Sequence, residues 1–307
     1  MAQLAKKKNV RVRLGVHCYL TGGYVGAVKE AISLGCTTMQ MFTRSPRMWG
    51  RGCKRTSPDE IYTFKELRRK NDIAPLALHA PYLPNLCSSD ERIYNLSKKV
   101  LYEDYLLGLE FDADYLIIHP GGYSPGKTLA DGVERISEAI NYVLSEVDKY
   151  YAAGHKRLMI LLETVSGGGR RIGKNFYEFK EIFSRIKYHQ LVGLCIDTCH
   201  IYAAGYDITT ESGVKEMLKE IELTVGLEKI KFIHLNDSRA ALGSHRDIHE
   251  HIGKGYIGIA GFLNFLRYFH TCPMVLETPK NGNGNTISNN TADKNNLALV
   301  RKLLAEI

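Results

Sequence analysis

Val192-Gly193-Leu194-Cys195-Ile196-Asp197 is a short run of small and branched apolar residues that ends on a carboxylate, and the next turn adds Cys199 and His200. Six residues of this kind are too few for a helix and apolar on both faces, so they read as a buried strand of a parallel sheet. Working outward, the same pattern recurs. Pro75–His79 closes on His79, Tyr115–His119 on His119, Leu158–Glu163 on Glu163 and Met274–Glu277 on Glu277, while Lys231–Leu235 carries His234 beside its end. Leu14–Cys18 and Thr38–Phe42 precede these, bringing the apolar runs to eight.

Longer amphipathic stretches separate the runs: Ser57–Asn71, Asp90–Glu110, Thr128–Tyr150, Asn175–Ile186, Ser212–Thr224, Ala260–His270 and Asp293–Ile307. Ser57-Pro58-Asp59-Glu60 has the chemistry of a helix start, with a capping hydroxyl, proline at the first helical position and acids in the first turn. Strands alternating with helices form right-handed βαβ units on a parallel sheet. Eight units in 307 residues predict an α/β fold, a (β/α)8 TIM barrel in one domain. The competing architecture is an open doubly wound sheet, but no G-x-G-x-x-G opens its first βα turn. The expected domain is 11–307, preceded by a flexible basic arm, 1–10, that contains Lys6, Lys7 and Lys8. Asn281–Asn290, rich in Asn and Gly, reads as a loop after the last strand.

The strand ends carry the chemistry. In a parallel barrel the C-terminal ends of all strands converge on one face, where active sites form. His79, His119, Glu163, Asp197, His234 and Glu277 would therefore meet although they are far apart in the chain. A carboxylate or imidazole buried beside such apolar runs is costly unless paired or bound to a metal. Two loops add donors: His200, three residues after Asp197, and Asp247-Ile248-His249, where an extended segment offers every second side chain to one ion. Five His, two Asp and two Glu exceed the three or four ligands of one zinc, and suit two or three ions sharing a carboxylate. Such sets favour hydrolysis of phosphate esters. His17 also ends a strand and is expected to support the site from behind. His245 and His251 flank the Asp-x-His pair, and His155, His189 and His270 read as solvated. Cys195 and Cys199 bracket Asp197; a thiolate ligand is conceivable there, with small apolar filler the preferred reading.

Composition bounds the class. A hydrophobic share of 44% with 24% charged residues is enough to bury a sizeable core. No run approaches eighteen apolar residues, and Met1–Arg13 lacks an apolar signal region, so neither a membrane span nor secretion is expected. The seven cysteines are irregularly spaced with no C-x-x-C, which fits reduced thiols inside a cell. Lys+Arg 41 against Asp+Glu 33 leaves +8, a balance that attracts a polyanion.

The residues also resemble a known family. Gly15-Val16-His17, Phe42-Thr43-Arg44, His79-Ala80-Pro81-Tyr82-Leu83, His119-Pro120-Gly121 and Leu162-Glu163-Thr164 are similar to segments of endonuclease IV, the metal-dependent apurinic/apyrimidinic endonucleases of base-excision repair. Asp197-Thr198-Cys199-His200 followed by Ala203-Ala204-Gly205-Tyr206-Asp207 is the most specific match. His234-Leu235-Asn236-Asp237-Ser238, His251-Ile252-Gly253-Lys254-Gly255 and Leu276-Glu277-Thr278-Pro279-Lys280 complete the set in family order.

The resemblance implies a TIM barrel with three zinc ions, manganese being an alternative in one site. It places one ion on His79, His119 and Glu163, a second on Glu163, Asp197, His234 and Glu277, and a third on His200, Asp247 and His249. Arg47, Tyr82 and Leu83 match side chains that penetrate DNA. The implied partner is duplex DNA with abasic sites, with no membrane and no obligate protein partner, in the cytoplasm, the nucleus or a virion. The implied reaction cleaves 5′ to the abasic site, with Glu163 and Glu277 beside the attacking water, and 3′-end trimming is an expected side activity. Two departures stand out. Ile248 replaces the arginine of the family's Asp-Arg-His, and Thr164-Val165-Ser166-Gly167-Gly168-Gly169 follows Glu163 where the family has Asn-Thr-Ala-Gly-Gln-Gly. A sugar isomerase on a metal pair and a DNA-damage binder with structural zinc are the competing functions.

Overall fold

Each apolar run becomes a strand whose last residues stand at the mouth of a barrel. The computed structural model describes residues 12–44, 49, 56–152, 154, 156–280 and 290–307. The order is β1 (Leu14–Cys18), α1 (Gly23–Ser33), β2 (Met39–Phe42), α2 (Pro58–Lys70), β3 (Leu76–His79), α3 (Glu91–Glu110), β4 (Tyr115–Ile118), α4 (Leu129–Ala152) and β5 (Met159–Glu163). Then come α5 (Phe176–Phe183), β6 (Val192–Asp197), α6 (Thr198–Ala204), α7 (Glu211–Thr224), β7 (Ile230–His234), β8 (Asp237–Ser238), β9 (His249–Glu250), α8 (Gly258–Phe269), β10 (Met274–Leu276) and α9 (Thr291–Ala305).

Eight parallel strands close in the order β1-β2-β3-β4-β5-β6-β7-β10. The seam is made by Leu14 against Met274 and Val16 against Leu276, which removes both edges and with them the open-sheet alternative. The expected arm, 1–10, lies outside the described residues, as does most of the Asn/Gly-rich loop. The helix start at Ser57 is as expected: its side chain accepts from the Glu60 amide, with Pro58 following. Two features were not expected. The segment after β6 is a short helix, α6, and β8 pairs antiparallel with β9 to form a hairpin over the barrel mouth.

The barrel interior explains the site. Ala77, Ile117, Leu161, Cys195, Phe232 and Val275 form one apolar cluster separate from the layer between strands and helices. Each sits two residues before one of the donors: His79, His119, Glu163, Asp197, His234 and Glu277. Side chains two apart on a strand share a face, so an apolar plug below forces a polar group above it into the mouth. Between β6 and β7 the register shifts at Leu194/Cys195, so that Asp197 pairs with His234 and Cys195 with Phe232. A slip of one residue would turn His234 away from the mouth; the bulge keeps both strands in phase.

Candidate metal centre

All nine donors named from the sequence meet at this mouth. Their ligand atoms form three groups, each within 4.8 Å: His79, His119 and Glu163; Glu163, Asp197, His234 and Glu277; and His200, Asp247 and His249. A fourth grouping, Asp197, Cys199 and His249, overlaps the last two. Burial pushes the Cys199 thiol up to about 12.

The hydrogen bonds behind the imidazoles decide which nitrogen faces the centre. His79 Nδ1 donates to the Ala80 carbonyl at 2.7 Å, leaving Nε2 2.9 Å from Glu163 Oε2. His119 Nε2 lies 3.4 Å from the same oxygen. His200 Nδ1 donates to the Thr164 carbonyl at 2.7 Å, and His249 Nδ1 to the Glu277 carbonyl at 3.2 Å. Their Nε2 atoms both turn to Asp247 Oδ1, at 3.1 and 3.3 Å, yet neither is aligned for a hydrogen bond although both are buried. His234 Nε2 donates to Gln40 Oε1 at 2.7 Å, so Nδ1 faces Glu163 Oε1 at 3.0 Å and Glu277 Oε2 at 3.3 Å. Nitrogen lone pairs opposed to carboxylate oxygens repel unless a proton or a cation lies between them. With orphaned imidazole nitrogens and a His/Asp/Glu donor set, the residues fit divalent metal ions of the zinc type.

Electrostatics agree. Burial alone would raise the Glu163 carboxyl, but the imidazoles of His119 and His234, the latter within hydrogen-bond distance, and His200 3.4 Å away hold it well below the usual range. Burial likewise opposes ionisation of Asp247, but the His200 imidazole, whose Nε2 lies 3.1 Å away, and the charge of His249 bring it down to about 2. Burial pushes His119 down to about 4, despite Glu163 beside it. His200 and His234 go the other way: burial disfavours their charge, but the acidic neighbours outweigh it and raise both well above the ordinary value.

Local folding places these groups. Asp197 is the N-cap of α6, its Oδ1 accepting from the His200 amide at 2.9 Å, which fixes the three-residue spacing. Asp247 and His249 lie where the β8–β9 hairpin begins its return strand, with half-buried Ile248 between them. Several groups escaped the sequence reading. Gln40, on β2, donates to Glu277 Oε1 at 2.6 Å, lies 2.8 Å from His17 Nδ1 and accepts from His234. Asn236 donates to Asp197 Oδ2 at 2.7 Å and accepts from the Glu277 amide at 2.8 Å. The only signal for Gln40 was a buried amide within Met39-Gln40-Met41-Phe42. His17 stands behind the centre as expected, 3.2 Å from Glu277 Oε1. His245 Nδ1 donates to the Ser166 carbonyl at 2.9 Å, tying the loop before Asp247 to the one after Glu163. His189 is exposed, whereas His270 is half-buried with its Nδ1 on the Leu266 carbonyl, and His155 lies outside the described residues.

Tyr82 is 63% exposed at the mouth, its ring 5.7 Å from that of His119, with Leu83 half-buried beside it. Arg47 lies outside the described residues. No helix among the described residues is long and apolar enough to cross a membrane.

Comparisons with known proteins agree with this geometry. Residues 28–303 match the family model described as "Xylose isomerase-like TIM barrel". A protein of Halothermothrix orenii named "Probable endonuclease 4" is 38% identical over 271 residues, 88% of this chain and 94% of that one. Its counterpart in Aquifex aeolicus is 37% identical, covering 94% of this chain and 96% of its own. The crystal structure of endonuclease IV from Thermus thermophilus superposes with a TM-score of 0.79 at 31% identity, over 96% of this chain and 100% of that one. A closed barrel with nine convergent donors, relatives spanning nearly its whole length and a matching solved structure place this chain in the endonuclease IV family.

Proposed function

We propose that this protein is an apurinic/apyrimidinic endonuclease that hydrolyses the phosphodiester 5′ to an abasic site in duplex DNA, leaving a 3′-hydroxyl and a 5′ deoxyribose phosphate. The observation that carries the reading is the sorting of nine donors into three groups, two of which share Glu163. The groups would hold three zinc ions, with manganese an alternative in one site: His79, His119 and Glu163 the first; Glu163, Asp197, His234 and Glu277 the second; His200, Asp247 and His249 the third. When bound, such ions lower the pKa of water and stabilise the attacking and leaving oxygens of an in-line displacement.

The chain's own residues do the rest. Glu163 and Glu277 flank the position of the attacking water and pass its proton to solvent, from which the departing 3′ oxygen takes one to become the 3′-hydroxyl. Gln40 and Asn236 lock Glu277, His234 and Asp197 in orientation, so little reorganisation remains at the moment of reaction. Tyr82 and Leu83, together with Arg47, fill the gap left by an extruded abasic nucleotide, whose missing base makes unstacking cheap. The same open mouth admits a blocked 3′ end, so trimming of 3′ termini belongs to the proposal. A sugar isomerase on a metal pair has no use for the His200–Asp247–His249 group or for the +8 charge.

The test is direct. Protein stripped by chelator and reloaded with zinc should nick an abasic duplex oligonucleotide, give the stated end groups and carry about three zincs per chain. An intact substrate at low salt sinks the reading. A chain that binds the abasic duplex without nicking it, whether or not Glu163 is replaced, is instead a damage binder.

A further inference from the structure

We infer that Arg171 is a phosphate clamp: its guanidinium takes a DNA backbone phosphate flanking the one that is cleaved. The inference rests on the reading of duplex DNA as substrate.

A cleft of about 330 Å³ opens beside the metal centre, lined by Tyr82, Asn85, His119, Val165, Arg171 and Asp247 among others. His119 and Asp247 belong to different donor groups, so this cleft runs past two of the three ion positions. A phosphodiester strand engaged by both must lie along it. Arg171 is the one permanently charged cation among the described residues that line it.

Its backbone is held rather than loose. Gly122 and Arg171 form an antiparallel bridge, the Ile172 amide donates to the Gly121 carbonyl at 2.9 Å and the Tyr123 amide to the Arg170 carbonyl at 3.3 Å. A Cβ at Gly122 would stand 3.1 Å from the Arg170 carbonyl oxygen, a tight approach that glycine accommodates without a shift. The side chain is nonetheless uncommitted. Arg44, Arg68, Arg135, Arg185 and Arg239 each reach a carboxylate, whereas Arg171 has no such partner among the described residues. An anchored, exposed guanidinium lining a cleft, with no acid to satisfy it, suits a bidentate phosphate contact.

Arg170 is the control: same charge, adjacent in the chain, exposed, but not lining the cleft. Zinc-loaded Arg171→Ala should raise KM for an abasic duplex about five- to tenfold with kcat within about twofold, and lower the slope of log Kd against log salt by about 1, measured by anisotropy in a Glu163→Gln background. Arg171→Lys, which keeps the charge but loses the fork, should fall between, and Arg170→Ala should stay within about twofold of wild type. If Arg171→Ala leaves both KM and the salt slope unchanged, or if Arg170→Ala matches its effect, the clamp is wrong while the nuclease reading stands. If the wild type neither binds nor nicks the duplex, the underlying reading fails and takes the clamp with it.

Discussion

Gln40 shows how much a single uncharged amide can hold. It joins Glu277, His17 and His234 across the barrel, and its carbonyl sets the tautomer of His234. Groups that orient metal ligands from behind typically matter 10- to 100-fold, so Gln40→Leu should weaken zinc affinity by about that factor, read by competition with a chromophoric chelator, while the fold survives. Unchanged zinc retention would show that Gln40 is mere packing. At Ile248 the expected change is a gain: Ile248→Arg should tighten abasic-duplex binding at low salt and steepen the salt slope by about 1, since one phosphate contact is added. Six donors were legible because chemistry and position coincide, a His, Asp or Glu at the end of an apolar run, and His200, Asp247 and His249 because of their spacing. Gln40 and Asn236 were not, because an amide carries no metal signature and its value lies wholly in partners distant in sequence.

At the scale of elements, the strands were legible to within a residue or two, and the hairpin over the mouth was not. Two-residue strands give no periodicity, and their pairing depends on a side chain, Asp237. This buried carboxylate accepts from the amides of Gly253, Gly255, Ile257 and Gly258, at 2.9, 3.0, 3.0 and 3.3 Å, tying the loop after β9 and the start of α8 to β8. Gly255 passes so close that a Cβ would meet the Ser238 carbonyl oxygen at 2.3 Å and Asp237 Oδ1 at 2.5 Å. Asp237→Ala strands four amides and should cost about 3 kcal/mol, lowering Tm by roughly 5 °C in a domain of this size. Because β9 begins at His249, the same variant should lose zinc from the His200–Asp247–His249 group first, leaving about two ions per chain by elemental analysis. A destabilised variant that still carries about three ions would separate this tie from the centre. The phase of β7 was equally hidden: the register shift beside Cys195 that keeps His234 inward leaves no mark in the composition of Ile230–His234.

For the whole molecule, the metal-free centre is a balance of charges that ion binding must displace. The acids around His200 and His234 outweigh the cost of burying their charge and push both up, whereas burial pushes His119 down. Zinc takes imidazole in its deprotonated form, so uptake should release protons and affinity should rise as pH rises, measured by calorimetry in buffers of different ionisation enthalpy. Uptake without proton release would mean that those two imidazoles are neutral beforehand. The closing seam has a consequence for the life of the chain. His17 comes from the first strand and Glu277 follows the last, and they touch only after β1 has met β10. Each ligand group draws on two or more separate segments, so no nascent stretch of the polypeptide owns a working cutter. An enzyme that breaks DNA is thus born inert, and what arms it is the convergence of distant strand ends on one mouth.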